Sequence, residues 1–225
     1  MQCATAGAGR CHGNYGDPAR RYRAGRVEHL SGRVAGEQQS GYGDGDINIT
    51  NSGERGAGLA AGTSSNTTGA LCANVYAFSP DEQMVSCCSC PVTPNGLVSL
   101  SARTDLINNT LTPAVPTSLV VKLVASVPAP GSLGCMGSAA SVTSTNLAPG
   151  MAAWDTTVHV GGSAGALGIT ETAFLSATLT TAPGNAGGIG ELARLTQLCT
   201  FINANGSGFG ICSPCRLGAL GAGRL

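Results

Sequence analysis

Short runs in which apolar and polar residues alternate, the mark of a half-buried strand, recur along this chain and are divided by turn residues. Residues 71–78 (LCANVYAF) are β-branched and aromatic, and Ser79-Pro80-Asp81-Glu82 after them is a polar turn. Residues 83–90 (QMVSCCSC) resume the extended pattern, so the two runs predict a β-hairpin with a loop of four or five residues. Pro91 and Pro94-Asn95-Gly96 end it with strong turn chemistry. Residues 97–103 (LVSLSAR) alternate again, and 117–126 (TSLVVKLVAS) form a clear strand, kept extended on approach by Pro113 and Pro116. Two more candidates, 152–160 and 169–180, flank the glycine-rich Gly161-Gly162-Ser163-Ala164-Gly165. Several short strands with turns between them predict an antiparallel β-sandwich-like domain, mainly β.

One segment has a different period. Residues 188–203 carry Ile189, Leu192, Leu195, Cys199 and Ile202 at three- and four-residue spacing. Glu191 stands in the first turn, where the helix dipole favours an acid, and Asn205-Gly206 supplies the stop. This predicts one C-terminal α-helix laid on the sheet, its apolar stripe a packing face.

The pattern fails toward the N-terminus. The first forty residues hold half of the basic side chains (Arg10, Arg20, Arg21, Arg23, Arg26, Arg33) with few apolar ones, and no apolar core of a signal peptide is present. Residues 1–45 therefore read as an unstructured arm, for which three accounts compete. It is a disordered basic tail, an unusual targeting segment, or the translation of a misplaced start or slipped frame upstream of Asp44. From Asp46 a short strand-like alternation, Asp46-Ile47-Asn48-Ile49-Thr50, opens a Gly/Ser/Asn/Thr-rich linker over 46–69. The domain proper covers 70–218, and 219–225 is a tail.

Composition narrows the functional classes. Charged residues make up 11% of the chain, the formal net charge is zero, and 34 residues are glycine. No basic patch is available to a nucleic acid. Lys122 is the sole lysine, a bias that points to GC-rich coding rather than to guanidinium chemistry. The longest apolar stretch, 119–127, is broken by Lys122 and Ser126, far short of the roughly 20 residues a membrane-spanning helix needs.

Cysteine changes the picture most. Of ten cysteines, eight fall in the domain: Cys72, Cys87, Cys88, Cys90, Cys135, Cys199, Cys212 and Cys215. An even number in one compact region is the arithmetic of a disulfide framework and of an oxidising, extracytoplasmic location. Neighbours in a strand face opposite sides, so Cys87 and Cys88 need different partners, and Cys90 shares the facing of Cys88. Cys199 lies on the inward stripe of the helix, where a bond to the Cys87–Cys90 cluster would staple helix to sheet. Two rival uses of these thiols are weaker. Zinc ligation by Cys87-Cys88-Ser89-Cys90 with Cys212-Ser213-Pro214-Cys215 suffers from the poor knuckle spacing of C-C-x-C. A redox C-x-x-C at Cys212 and Cys215 lacks the helix that such a motif should open.

Other chemical signals are faint. Asp155 and His159 share a strand facing and Glu171 follows in the next strand, an alternative metal or acid/base cluster set against a plain rim histidine. Gly-Tyr-Gly-Asp-Gly-Asp at 41–46 lacks the rest of a calcium loop, and the glycine-rich 161–168 and 184–190 lack the lysine of a phosphate loop. No G-x-S-x-G elbow occurs, and Cys11-His12 lacks the first cysteine of a haem motif because position 8 is Ala. Four N-x-S/T sequons, at Asn48, Asn66, Asn108 and Asn205, matter only in a glycosylating host.

The string Cys87-Cys88-Ser89-Cys90-Pro91-Val92-Thr93-Pro94-Asn95-Gly96-Leu97 resembles a group of exported, cysteine-rich bacterial proteins without an assigned function. The likeness extends to Leu71-Cys72-Ala73-Asn74-Val75-Tyr76 and to Gly206-Ser207-Gly208-Phe209-Gly210-Ile211-Cys212, spanning 70–218. It implies export and a single domain, and carries over no catalytic residue. The sequence thus predicts a secreted or envelope-exposed structural or interaction domain, without a cofactor, whose partner would be a protein or a cell surface. The alternative is an extracytoplasmic zinc-binding protein or metal-dependent hydrolase.

Overall fold

The computed structural model describes residues 26–32, 45–57, 69–110, 115–116, 118–128, 135, 139–160, 167–179, 189–205 and 210. Among these residues nine strands and one α-helix follow in chain order. The strands are β1 (Arg26–Gly32), β2 (Gly45–Asn51), β3 (Leu71–Phe78), β4 (Met84–Val92), β5 (Leu97–Ser101), β6 (Leu119–Ser126), β7 (Met151–Val160), β8 (Leu167–Ala173) and β9 (Leu175–Thr178); the helix is α1 (Glu191–Asn205). They build two antiparallel sheets, one in the order β4-β3-β6-β1-β9 and the other β5-β2-β7-β8.

Pleating explains the core. In the larger sheet, Ala73, Val75 and Ala77 of β3 lie across from Cys90 and Cys88 of β4 and from Ala125, Leu123 and Val121 of β6, all on the inner face. The smaller sheet answers with Ile47, Ile49, Val98, Leu100, Met151 and Ala153. Interior side chains of this modest size set the two sheets together with little aromatic filling. The outer face of the larger sheet is covered as well. Tyr76, Cys87 and Val124 pack there against Leu192, Leu195, Cys199 and Ile202 of α1 and against a 3-10 turn, Ala139–Ser141. The fold is therefore a mainly antiparallel β-sandwich with a single helical layer on one side.

Several elements depart from the sequence reading. β1 lies inside the stretch read as an unstructured arm, yet it pairs with β6 through Val27↔Val124 and Leu30↔Val121, and with β9 through Val27↔Ala177. β2 falls on the short strand-like alternation read at 46–50 and goes further than that reading in being an interior strand of the smaller sheet, wholly alternating in burial. The single run read over 169–180 is two strands in different sheets. Phe174 marks the crossing: its N–H donates to the Ala153 carbonyl at 3.0 Å and its ring is buried between the sheets. β5 stops at Ser101 because the next residues close a wide π-type turn, Ala102–Leu106. The Asp105 carboxylate accepts from the Ser101 N–H at 2.8 Å, and the Ser101 hydroxyl accepts from the Thr104 N–H at 3.0 Å. The helix begins at Glu191, so Ile189 precedes it and is exposed rather than part of the stripe. Residues 219–225 lie outside the described residues.

The hairpin loop between β3 and β4 is closed by Ser79. Its backbone N–H donates to the Gln83 carbonyl, and its hydroxyl donates to the Asp81 carboxylate, which is thereby held below the usual carboxylate range. Glu82 completes the turn at φ 65°. At the far end, Asn95 takes φ 59° and the Gly96 N–H donates to the Thr93 carbonyl at 2.8 Å.

Buried polar side chains tie the layers, and their satisfaction is what makes them tolerable inside. The Asn51 amide donates to the Gly69 carbonyl at 2.8 Å and to the Val92 carbonyl at 3.0 Å, while its Oδ1 accepts from the Gly53 N–H. One residue at the end of β2 thus pins the end of β4 in the opposite sheet. Asn74 donates to the Val124 carbonyl and to the Ser126 hydroxyl. The Tyr76 hydroxyl donates to the Ala139 carbonyl at 2.8 Å, and burial pushes its phenol well above the ordinary value, so it stays a donor. Lys122 of β6 forms an ion pair with Glu191 at the head of α1.

The packing sets a stability ranking for single substitutions followed by urea unfolding. Leu123→Ala, at a fully buried inner position, is expected to cost about 2–5 kcal/mol. Tyr76→Phe deletes one buried hydrogen bond and is expected to cost about 1 kcal/mol. Ser86 is the reverse case: its buried hydroxyl has no hydrogen-bond partner among the described residues, so Ser86→Ala should be neutral or stabilising.

Candidate functional site

Three cysteines on β4 dominate the chemistry of the larger sheet. The pleat sends Cys87 to the outer face, where it is bonded to Cys199 of α1 across a Cα–Cα distance of 5.8 Å. Cys88 and Cys90 face inward among the inter-sheet core residues and are disulfide-bonded as well. On the neighbouring strand, Cys72 is bonded to Cys135 at a Cα–Cα distance of 5.5 Å. Cys212 and Cys215 lie outside the described residues. A sulfur in a disulfide carries no thiolate, so Cys72, Cys87, Cys88, Cys90, Cys135 and Cys199 offer no zinc ligand in this state.

The chain reaches β4 again after the helix. The Cys87 N–H donates to the Gly210 carbonyl at 2.9 Å, and the Gly210 N–H donates to the Asn109 carbonyl. Gly210 takes φ +70° and lies so close to Ile202 that an added Cβ would strike that side chain. Glycine is required here on both counts.

Register separates Glu171 from Asp155, two residues of the alternative metal cluster. Asp155 pairs with Thr172 and Glu171 pairs with Thr156, one step along, so Glu171 belongs to the opposite face of the β7–β8 ribbon. Asp155 is buried, with its Oδ2 accepting from the Thr157 hydroxyl at 2.8 Å, whereas Glu171 is exposed. Of His159, the described feature is its backbone pairing with Gly168. Among the described residues no three His, Cys, Asp or Glu side chains converge as a metal site.

The outer face of the smaller sheet has a composition that sequence reasoning passed over. One row crosses all four strands as Ser99, Asn48, Trp154 and Ala173, and the next brings Asp46, Thr156 and Glu171 alongside. Burial alternates to match: Asp46, Ser99, Ala173 and Glu171 are exposed, and Asn48, Trp154 and Thr156 are half-buried. The Asn48 side chain is held on both sides. Its Nδ2 donates to the Thr156 hydroxyl at 3.0 Å and its Oδ1 accepts from the Ser99 hydroxyl at 2.6 Å. Trp154 is the sole tryptophan of the chain. The signal in the sequence was its parity: in AAWDTTVHV it stands with the polar Thr156, out of step with the buried Ala153 and Asp155.

No protein-family model and no curated protein matches the chain. A solved structure that resembles it is that of Thermotoga maritima 1070, at 8% identity and a TM-score of 0.39, covering 69% of this chain and 95% of the other. That likeness is too weak to bear on fold or function.

The Cys87–Cys199 bond closes a 112-residue separation, and the Cys72–Cys135 bond one of 63. On the chain-entropy relation these are worth about 5 and about 4 kcal/mol. Replacing Cys87 and Cys199 together by Ala should therefore lower unfolding free energy by several kcal/mol in denaturant titration. The loss at Cys72 and Cys135 should be somewhat smaller.

Proposed function

We propose that this chain is a structural or interaction domain of an extracytoplasmic surface, whose work is to hold a surface in fixed shape for a partner on a protein or a cell wall. The observation that carries this reading is the state of the cysteines. All six described ones are in disulfides, three of them on a single strand that touches both the inter-sheet core and the helix. Disulfides persist in oxidising compartments and are reduced in most cytosols, and a covalent lattice of this density suits a domain that must keep its shape without chaperone or repair. The resemblance of the Cys87–Leu97 string to exported cysteine-rich bacterial proteins supports the same location.

Among the described residues no helix is long and apolar enough to cross a membrane. Within the sandwich, the interior polar groups Asn51, Asn74 and Tyr76 are spent on backbone carbonyls. These side chains are bolts between strands, in keeping with a presenting scaffold.

Expression of the full chain with and without a fused export signal checks the reading. Mass mapping after alkylation, with and without reductant, should find Cys72–Cys135 and Cys87–Cys199 in the exported protein. The cytosolic product should be reduced and should unfold at markedly lower denaturant. Equal stability of the two forms, with free thiols in both, would overturn the proposal.

A further inference from the structure

Among the described residues the two faces of the sandwich are covered differently, and that of the smaller sheet is chemically specific. The larger sheet is roofed by α1, whereas the smaller sheet presents Trp154 with hydroxyl, amide and carboxylate side chains around it. An indole left partly exposed on a sheet face gives up some of the core burial that would favour folding, in a chain with 4% aromatic residues. Its neighbours in register are small or polar. Ala173 lies across from it on β8 and Asn48 on β2, so nothing large stands beside the ring on either adjoining strand.

From this arrangement we infer that the outer face of the β5-β2-β7-β8 sheet is a binding platform for a neutral polysaccharide. The inference rests on the proposed extracytoplasmic role and gives it a ligand class. Three observations select sugar as the occupant. The apolar face of a pyranose ring packs on a flat aromatic surface, and Trp154 is the broadest such surface a side chain provides. Sugar hydroxyls both donate and accept, and the fixed row Ser99–Asn48–Thr156 does both, with the amide oriented before any ligand arrives. Finally, the charged side chains among these facing residues are the carboxylates Asp46 and Glu171, with no lysine or arginine between them. Such a surface repels nucleic acids and sulfated or uronic glycans, while the exposed Glu171 carboxylate accepts hydrogen bonds from neutral hydroxyls. A face that runs across four strands fits an extended polymer better than a small sugar.

The test uses the oxidised full chain. Retention is measured on insoluble cellulose, chitin and starch, and by affinity electrophoresis in soluble xylan, mannan and mixed-linkage β-glucan, with heparin as the anionic control. Emission of Trp154 is followed during titration with oligosaccharides of any polymer that retains the protein, since no other tryptophan contributes. The expected result is retention by at least one neutral polymer, a shift in Trp154 emission, and no preference for heparin. Trp154→Ala should then weaken binding tenfold or more and Asn48→Ala severalfold, in variants whose circular dichroism and cooperative unfolding show that they are still folded. Retention by none of the six neutral polymers overturns the inference, as does binding that survives Trp154→Ala or a preference for heparin. Binding through Trp154 to a protein, without any glycan, overturns it too. In each of those cases a correctly exported, disulfide-bonded product would leave the proposed role standing, so the two failures are distinguishable.

Discussion

Everything in the larger half of this fold passes through the pleat of β4. Consecutive residues of a strand face opposite ways, so Cys87 and Cys88 are committed to different layers by geometry alone. One anchors α1 to the outer face, and the other, with Cys90, sits among the inter-sheet core residues. A shift of one residue in the β3–β4 register would exchange these roles and turn every inner methyl outward. The covalent bond to Cys199 is compatible with the observed register of Tyr76↔Cys87 and would resist that slip.

The need for such anchoring follows from the composition of the interior. Alanine, valine and cysteine line much of β3, β4 and β6, and each buries less apolar surface than a leucine or an aromatic side chain would. Hydrogen-bonded asparagines and disulfides supply what larger side chains would otherwise contribute. Asn51 is the clearest case, because its amide joins the ends of strands that belong to opposite sheets.

The elements that were legible in the sequence are those with a strong local pattern. The β3–β4 hairpin, the β6 run and the helix all follow from local period and turn chemistry. What escaped was decided by distant contacts. β1 is a short run with arginine and glutamate beside it, and it gains its place from β6 and β9, some 90 and 150 residues away. The crossing at Phe174 has no glycine or proline to announce it and depends on a backbone bond to β7. At the candidate sites, alternation along β4 was enough to separate the facings of Cys87 and Cys88. The division of Asp155 from Glu171 needed the cross-strand register, which spacing along one strand does not contain. Trp154 was readable by parity alone, but its significance needed knowledge of which face is covered.

The Cys87–Cys199 bond also has a mechanical meaning. A pulling force applied to the chain before Cys87 and after Cys199 runs through this bond. Under such a load the chain between these two residues is bypassed by the covalent bond, so its 112-residue separation does not lengthen when the strands come undone. At about 3.5 Å per residue that is roughly 390 Å of slack withheld. Under that force the chain yields first in β1, β2 and β3, which precede Cys87, while β5 to β9 and most of α1 stay within the bonded loop, in reach of refolding when the tension drops.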